Sequence, residues 1–344
     1  MRVLIVDVSA LPNFMPPGPG NLKEKIYAQV GPDLVRIEEE IRHLIDSDIP
    51  LISRVGRYIM DSGGKRLRPL LMILSSRLCG YQQGNDVPLA VVFEFLHAAA
   101  LLHDDVVDHG EFRRGQPAAN MVWGNAAVVL VGDYLYSRSI QMAVTYRDVR
   151  ILQVLLEATT KMSEGEVLQL INSENLEITE DEYLEVITRK TAVLISAACQ
   201  IGAILGGTGA TEENALKAYG HHIGIAFQLI DDTLDFTGEE KELGKPVGND
   251  LQEGKATLPL IYALRNSKAA ERLRVRQIFS ADRIPAQDMI EIRNLVARTG
   301  GIKYTNNQAA MHSLRAKEAL KVFPEGPVKE ILDDMADYVT CRRA

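Results

Sequence analysis

The sequence predicts an all-α fold, and three observations predict it. No proline interrupts the 128 residues from Ala118 to Lys245, whereas an interior proline costs a helix about 3 kcal/mol. Apolar residues recur at the helical period, as in Ile151, Val154, Leu155 and Ala158, or Ile195, Ala198, Cys199 and Gly202. Strand-like and helix-like segments nowhere alternate, and no unit repeats at a fixed period. With 46% hydrophobic and 24% charged residues, the composition is that of a globular protein. A chain of 344 residues can bury enough surface to hold a core without disulfides.

From the N-terminus, Met1–Val8 carries a short apolar run broken by Asp7, too short for a secretory or membrane-spanning segment. It has strand character but nothing obvious to pair with. Pro12, Pro16, Pro17 and Pro19 crowd the first 20 residues, so residues 1–20 read as a flexible lead-in and 21–344 as a single all-helical domain. Helix ends are expected at Asp61-Ser-Gly-Gly64, at Gly206-Gly-Thr-Gly209 with Thr211 capping the next helix, and at Thr299-Gly-Gly301. Phe112, Trp123 and Tyr134 read as core aromatics and His222 as a packed histidine. No run of 18 apolar residues predicts a transmembrane segment. Cys79, Cys199 and Cys341 are too few and scattered for a disulfide framework, so a reducing, cytoplasmic setting is expected. The formal charge of −8 argues against nucleic-acid binding, and a polyanionic ligand would need local cations or metal ions.

The chemistry is concentrated in two segments that place acids where a core wants apolar residues. These are Leu101-Leu-His-Asp104-Asp105-Val-Val-Asp108 and Gln228-Leu-Ile-Asp231-Asp232-Thr-Leu-Asp235. Each is a DDxxD whose first and last aspartates, four apart on a helix, share a face. One such motif alone reads equally well as a solvated acidic face. Two copies 127 residues apart, both flanked by Leu, Ile or Val, point instead to carboxylates gathered around hard divalent cations such as Mg²⁺, which also take phosphate oxygens. Cations complete the pattern. Gly63-Gly-Lys65-Arg66-Leu-Arg68-Pro69 packs three into four residues, Arg113-Arg114-Gly115 follows the first acidic motif, and Lys190-Thr191, Lys245 and Lys255 are further singles. Guanidinium forks and mobile ammonium groups both suit phosphate.

In order and spacing these segments resemble the trans-isoprenyl diphosphate synthases (polyprenyl synthetases) from about residue 25 to the C-terminus. Gly64-Lys-Arg-Leu-Arg-Pro69, Gly132-Asp-Tyr134, Phe227-Gln228 and Gly244-Lys-Pro-Val-Gly-Asn-Asp-Leu-Gln-Glu-Gly-Lys255 add to the match. The resemblance implies an isoprenoid-synthase-type helical bundle around a deep central cavity, usually a homodimer. It implies that Asp104 and Asp108, with Asp231 and Asp235 opposite, hold two or three Mg²⁺ ions on an allylic diphosphate. It implies that Lys65, Arg68, His97 and Arg114 bind isopentenyl diphosphate. Arg113, Lys190, Thr191, Gln228, Lys245 and Lys255 would surround the allylic substrate, with Lys190, Thr191 and Gln228 acting in catalysis.

Rival readings fare worse. A terpene cyclase typically carries an Asn/Ser/Glu triad on its second metal helix, and Asn172-Ser-Glu174 lacks the spacing. A metal-dependent phosphohydrolase built on His103-Asp104 lacks accompanying histidine ligands. A non-catalytic regulatory subunit of a heteromeric synthase would be expected to have a degraded acidic motif. Gly248–Lys255 has five residues between its glycines, one more than a P-loop, and Ala256 where Ser or Thr should follow. Product length is read from the helix before Asp104. At about 100° per residue, Ala100 lies one turn below Asp104 and Phe93 about 16 Å down on the same side. In short-chain relatives a bulky aromatic acts as a floor near Ala99 and Ala100; here both are small. The expectation is a long, octaprenyl-type product for a quinone side chain, with Phe93 as a candidate limit and a farnesyl- or geranylgeranyl-type product as the alternative.

Overall fold

Apolar stripes find their partners by helix packing throughout the molecule. The computed structural model describes residues 20–238, 248–281 and 283–341. Residues 1–19, with their candidate strand, and Lys245 lie outside the described residues. The chain opens with α1 (Gly20–Leu44), α2 (Pro50–Asp61), α3 (Leu67–Leu78) and α4 (Asp86–Val107). A two-stranded hairpin follows, β1 (Phe112–Arg113) and β2 (Gln116–Pro117), then α5 (Ala119–Trp123), α6 (Asn125–Val144) and α7 (Val149–Ile171). Next come α8 (Glu180–Ile187), a π-helical turn (Thr188–Ala192), α9 (Val193–Gly206) and α10 (Ala210–Thr237). The remainder is α11 (Asn249–Gln252), α12 (Leu258–Arg265), α13 (Ala269–Phe279), α14 (Ala286–Thr299), α15 (Gly301–Ala319) and α16 (Pro327–Cys341).

The core is built around α9, which is buried on every side from Leu194 to Ile204. Such a helix must be apolar all round, and its Ile, Ala and Cys side chains meet that need. It packs against α3, α7 and α10; α4 packs on α3 and α6, while α15 lies between α10 and α16. By length and composition α4 could cross a membrane, with mean hydropathy 1.4, but 72% of that stretch is buried inside the fold. Its apolar surface is therefore already covered by protein.

Most expected boundaries hold: α2 stops at Asp61, α9 at Gly206, and α14 at Thr299 before Gly300 in the left-handed region. Two expectations do not. Thr211 lies inside α10, which starts at Ala210 behind Gly209; Glu212 and Glu213 in its first turn answer the positive end of the helix dipole. Phe112 is 59% exposed, because it sits in the hairpin rather than in a helix facing the core. Trp123 packs edge-on against Tyr58 at 4.9 Å, Tyr134 lies at the margin of the core, and His222 shares a 3.2 Å Nδ1–Nδ1 contact with His312.

Candidate active site

Both aspartate motifs fall at C-terminal helix ends. Asp104 and Asp105 occupy the last turn of α4 with Asp108 as its C-cap, and Asp231, Asp232 and Asp235 lie in the last two turns of α10. The helix dipole places about half a negative charge at such an end. Packing did not need carboxylates there, so cations must answer them. Two lysines do. Lys190 Nζ stands 2.7 Å from Glu166 and 3.4 Å from Asp104. Lys255 Nζ stands 2.8 Å from Asp108 and 2.6 Å from Glu253. The Gln169 amide oxygen, turned to accept, is 3.2 Å from both ammonium groups. Glu166 and Gln169 are three apart on α7 and so share one face. Burial and then the charge of Asp104 push the Glu166 carboxyl up, with Lys190 opposing. Burial works against the charge on Lys255, but Glu253 and Asp108 outweigh it and hold the ammonium above its usual range.

The chain places these lysines by local geometry. In the π-helical turn the Val193 N–H bonds to the Thr188 carbonyl, five residues back. Neighbouring side chains then serve different helices, with Lys190 reaching α7 and α4 and Thr191 reaching α10. Gly165 lets α7 come close, since a Cβ there would lie 2.7 Å from the Lys190 backbone nitrogen. Thr191 Oγ1 donates to Gln228 Oε1 at 2.8 Å. Gln228 Nε2 donates to Asp232 Oδ1 at 2.8 Å, and the Tyr183 hydroxyl donates to the other carboxylate oxygen. This chain fixes which end of the Gln228 amide is which. Burial, then Asp250, pushes Asp232 up to about 8. Asp235 Oδ2 accepts from the Asp250 backbone N–H at 3.2 Å.

The three cations of the Gly64–Pro69 cluster part company. Arg66, at φ 43° and 4% exposed, turns inward to Glu38 (2.6 Å), Glu94 (3.1 Å) and the Met60 carbonyl (2.9 Å). Arg68 Nε is buried with no hydrogen-bond partner among the described residues; burial lowers its pKa, with Glu94 and Asp231 opposing. Lys65 Nζ lies 5.3 Å over the Phe227 ring. Arg113 and Arg114 are presented by the hairpin, whose Arg114-Gly115 turn has φ of 51° and 79°, as a two-residue type I′ turn requires. Arg113 forks onto Asp105 Oδ1 at 2.8 and 2.7 Å, while Arg114 reaches Ser62 Oγ at 3.4 Å. Burial, then Arg68 and Arg114, holds His97 well below the usual imidazole range, so it is a neutral hydrogen-bonding group.

Of the chain-length positions, Ala100 is half-buried, whereas Ala99 and Phe93 are 2% and 0% exposed. Ala99 and Phe93 are thus packed in the core, and Ala100 is the more open of the two alanines. The sequence reading also passed over Glu94, Glu166, Gln169, Tyr183, Asp250 and Glu253. Glu166 and Gln169 could have been found as polar residues three apart beside Gly165. The others look locally like ordinary surface acids or a core tyrosine.

Among the described residues no three His, Cys, Asp or Glu side chains converge into a ready-made metal site. The donors are all-oxygen, they come in pairs, and Asp105 Oδ2 is buried without a partner. This set fits Mg²⁺, which takes one or two carboxylates and completes its shell with water and phosphate. It does not make a closed protein cage.

Known proteins share this sequence and fold. The family model described as Polyprenyl synthetase matches residues 49–296. Octaprenyl diphosphate synthase of Escherichia coli K12 is 41% identical over 321 residues, covering 93% of this chain and 98% of that protein. A short chain isoprenyl diphosphate synthase of Methanothermobacter thermautotrophicus is 38% identical, covering 88% of this chain and 94% of its own. The crystal structure of a polyprenyl synthase from Caulobacter crescentus CB15, complexed with calcium and isoprenyl diphosphate, superposes with a TM-score of 0.90 at 38% identity, covering 93% of this chain and 98% of that one. With its fold, its paired aspartate motifs and its lysine and arginine clusters in place, this chain belongs to the polyprenyl synthetase family.

Proposed function

We propose that the protein is a long-chain trans-polyprenyl diphosphate synthase, octaprenyl-type, which condenses isopentenyl diphosphate head-to-tail onto an allylic diphosphate. The observation that carries the reading is the pair of aspartate motifs, each at a C-terminal helix end, the first of them answered by Lys190 and Lys255. Asp104 and Asp108 on one side and Asp231 with Asp235 on the other would hold two or three Mg²⁺ ions, which when bound neutralise the departing diphosphate. A calcium-complexed relative supports a divalent metal in this family fold.

The chain's own groups divide the remaining work. Lys190 and Lys255 follow the allylic diphosphate as its charge builds, which lowers the barrier in the transition state specifically. Arg113 orients Asp105, and Lys245 is assigned to the same diphosphate. The allylic C–O bond breaks with its electron pair on oxygen. Gln228 Oε1 and Thr191 Oγ1 face the cation with their negative dipole ends, because Asp232 engages the amide nitrogen. The double bond of isopentenyl diphosphate, held by Lys65, Arg68, neutral His97 and Arg114, then attacks, and a proton leaves to the released diphosphate. Apolar surroundings would have to exclude water, which would quench the cation.

Half-buried Ala100 one turn below Asp104 supports a long product, since its own side chain is small. The short-chain relative at 38% identity shows that overall identity alone does not set length. Incubation with labelled isopentenyl diphosphate, Mg²⁺ and each allylic starter, followed by sizing, decides it: products near C40 are expected, and arrest at C15 or C20 would favour the short-chain reading. A homodimer is also proposed, supported by exposed apolar side chains on α6 and α7, namely Leu130 at 67%, Leu170 at 63% and Ile171 at 70%.

A further inference from the structure

We propose that Gln169 is a positioning residue for the allylic diphosphate site, its amide oxygen drawing Lys190 and Lys255 together so that both can meet one diphosphate; this rests on the assignment of those lysines to that substrate. An ammonium group carries donors only. The end of the Gln169 amide that meets two of them is therefore the oxygen, 3.2 Å from each Nζ. The two nitrogens are thereby kept within twice that distance of one another. Among the described residues, Gln169 is the one side chain that meets both lysines.

The pattern of α7 points the same way. Packing alone would turn apolar side chains inward and polar ones outward. Here Gln169 is half-buried, whereas Val167 and Leu170 near it are 55% and 63% exposed. Glu166, one turn before Gln169, shares its face, and Gly165 beside it allows the close approach to the Lys190 backbone. The inward face of this stretch is thus fitted to the lysines rather than to the core.

Each lysine also has carboxylates of its own. Lys190 has Glu166 at 2.7 Å and Asp104 at 3.4 Å, and Lys255 has Glu253 at 2.6 Å and Asp108 at 2.8 Å. These hold each ammonium singly and do nothing to tie one to the other. Asp104 and Asp108 are moreover assigned to metal, and a carboxylate engaged by a divalent ion has less to offer an ammonium. Gln169 is the shared partner that remains. Being neutral, it restrains both lysines without adding a fifth carboxylate to compete with the diphosphate. Without it, two mobile, mutually repelling ammonium groups would have to be reordered by the substrate on binding.

The test is Gln169→Met, which keeps the length of the side chain but loses the strong acceptor. KM for the allylic diphosphate should rise about tenfold, while KM for isopentenyl diphosphate and the thermal midpoint stay near wild type. Titration calorimetry with inorganic diphosphate and Mg²⁺, which needs no turnover, should show a matching loss of affinity. In a Lys255→Gln background Gln169→Met should add little, because the glutamine acts through the lysines. An unchanged KM or diphosphate affinity, a rise common to both substrates, or a fully additive effect with Lys255→Gln overturns the inference. If Gln169→Met does not accumulate folded, Gln169→Ala must show the same selective rise, and a normal KM there also overturns it. Lys190→Gln and Lys255→Gln alone separate the two levels. A selective rise from them without one from Gln169→Met sinks this inference alone, whereas no selective rise from either lysine variant sinks the substrate assignment beneath it.

Discussion

Single side chains here are defined by what they oppose. Asp231 stands at a helix end whose backbone already disfavours negative charge, which is why the proposed function gives it a cation to bind. Asp231→Ala should lower kcat by about three orders of magnitude with the fold intact, since a carboxylate of this kind acts mainly in the transition state. Near-normal turnover at saturating Mg²⁺ would remove α10 from the metal site. Tyr183 makes a subtler case. Its hydroxyl holds Asp232, which holds Gln228, which meets Thr191. Tyr183→Phe frees the carboxylate and lets the amide turn, so kcat should fall about tenfold with little change in either KM. A loss confined to KM would place Tyr183 outside this chain of bonds.

At the scale of helices, α4 is a core element and, in the proposed function, also the ruler. Ala100→Phe should shorten the product towards C15–C20 while the first condensation survives, as sizing of products would show. Ala99→Phe should instead destabilise the fold, because Ala99 is already packed, and overpacking a core typically costs about 1–3 kcal/mol. The helices and both acidic motifs were legible in the sequence because period and spacing are local properties. Arg66 was not, since Lys65, Arg66 and Arg68 look alike until Glu38, 28 residues away in sequence, claims the middle one. Phe112 was misread for a related reason: an aromatic beside two arginines says nothing about a two-residue hairpin. The π-helical turn left no sequence mark either, and it sends Lys190 and Thr191 to different helices.

For the molecule as a whole, acid sensitivity has an identifiable source remote from the aspartates. His222 and His312 each fall to about 4, chiefly through burial and then through one another or the neighbouring His221, with Arg315 adding to the shift. A folded-state pKa below the unfolded value means the unfolded chain binds protons more readily. Stability is therefore complete above the usual histidine range and is lost as pH falls from about 6.5 towards 4. Thermal midpoints taken across that window should decline, and His312→Gln should flatten the decline; an unchanged slope would place the acid sensitivity elsewhere. The carboxylates at the ends of α4 and α10 carry a different kind of consequence. Being set against both helix dipoles, they make the empty enzyme less stable than its architecture allows, so activity and durability pull in opposite directions at the same atoms. Asp231→Asn should then melt at or above the wild-type temperature while nearly inactive. Added Mg²⁺ with inorganic diphosphate should raise the melting point of the wild type far more than that of the variant.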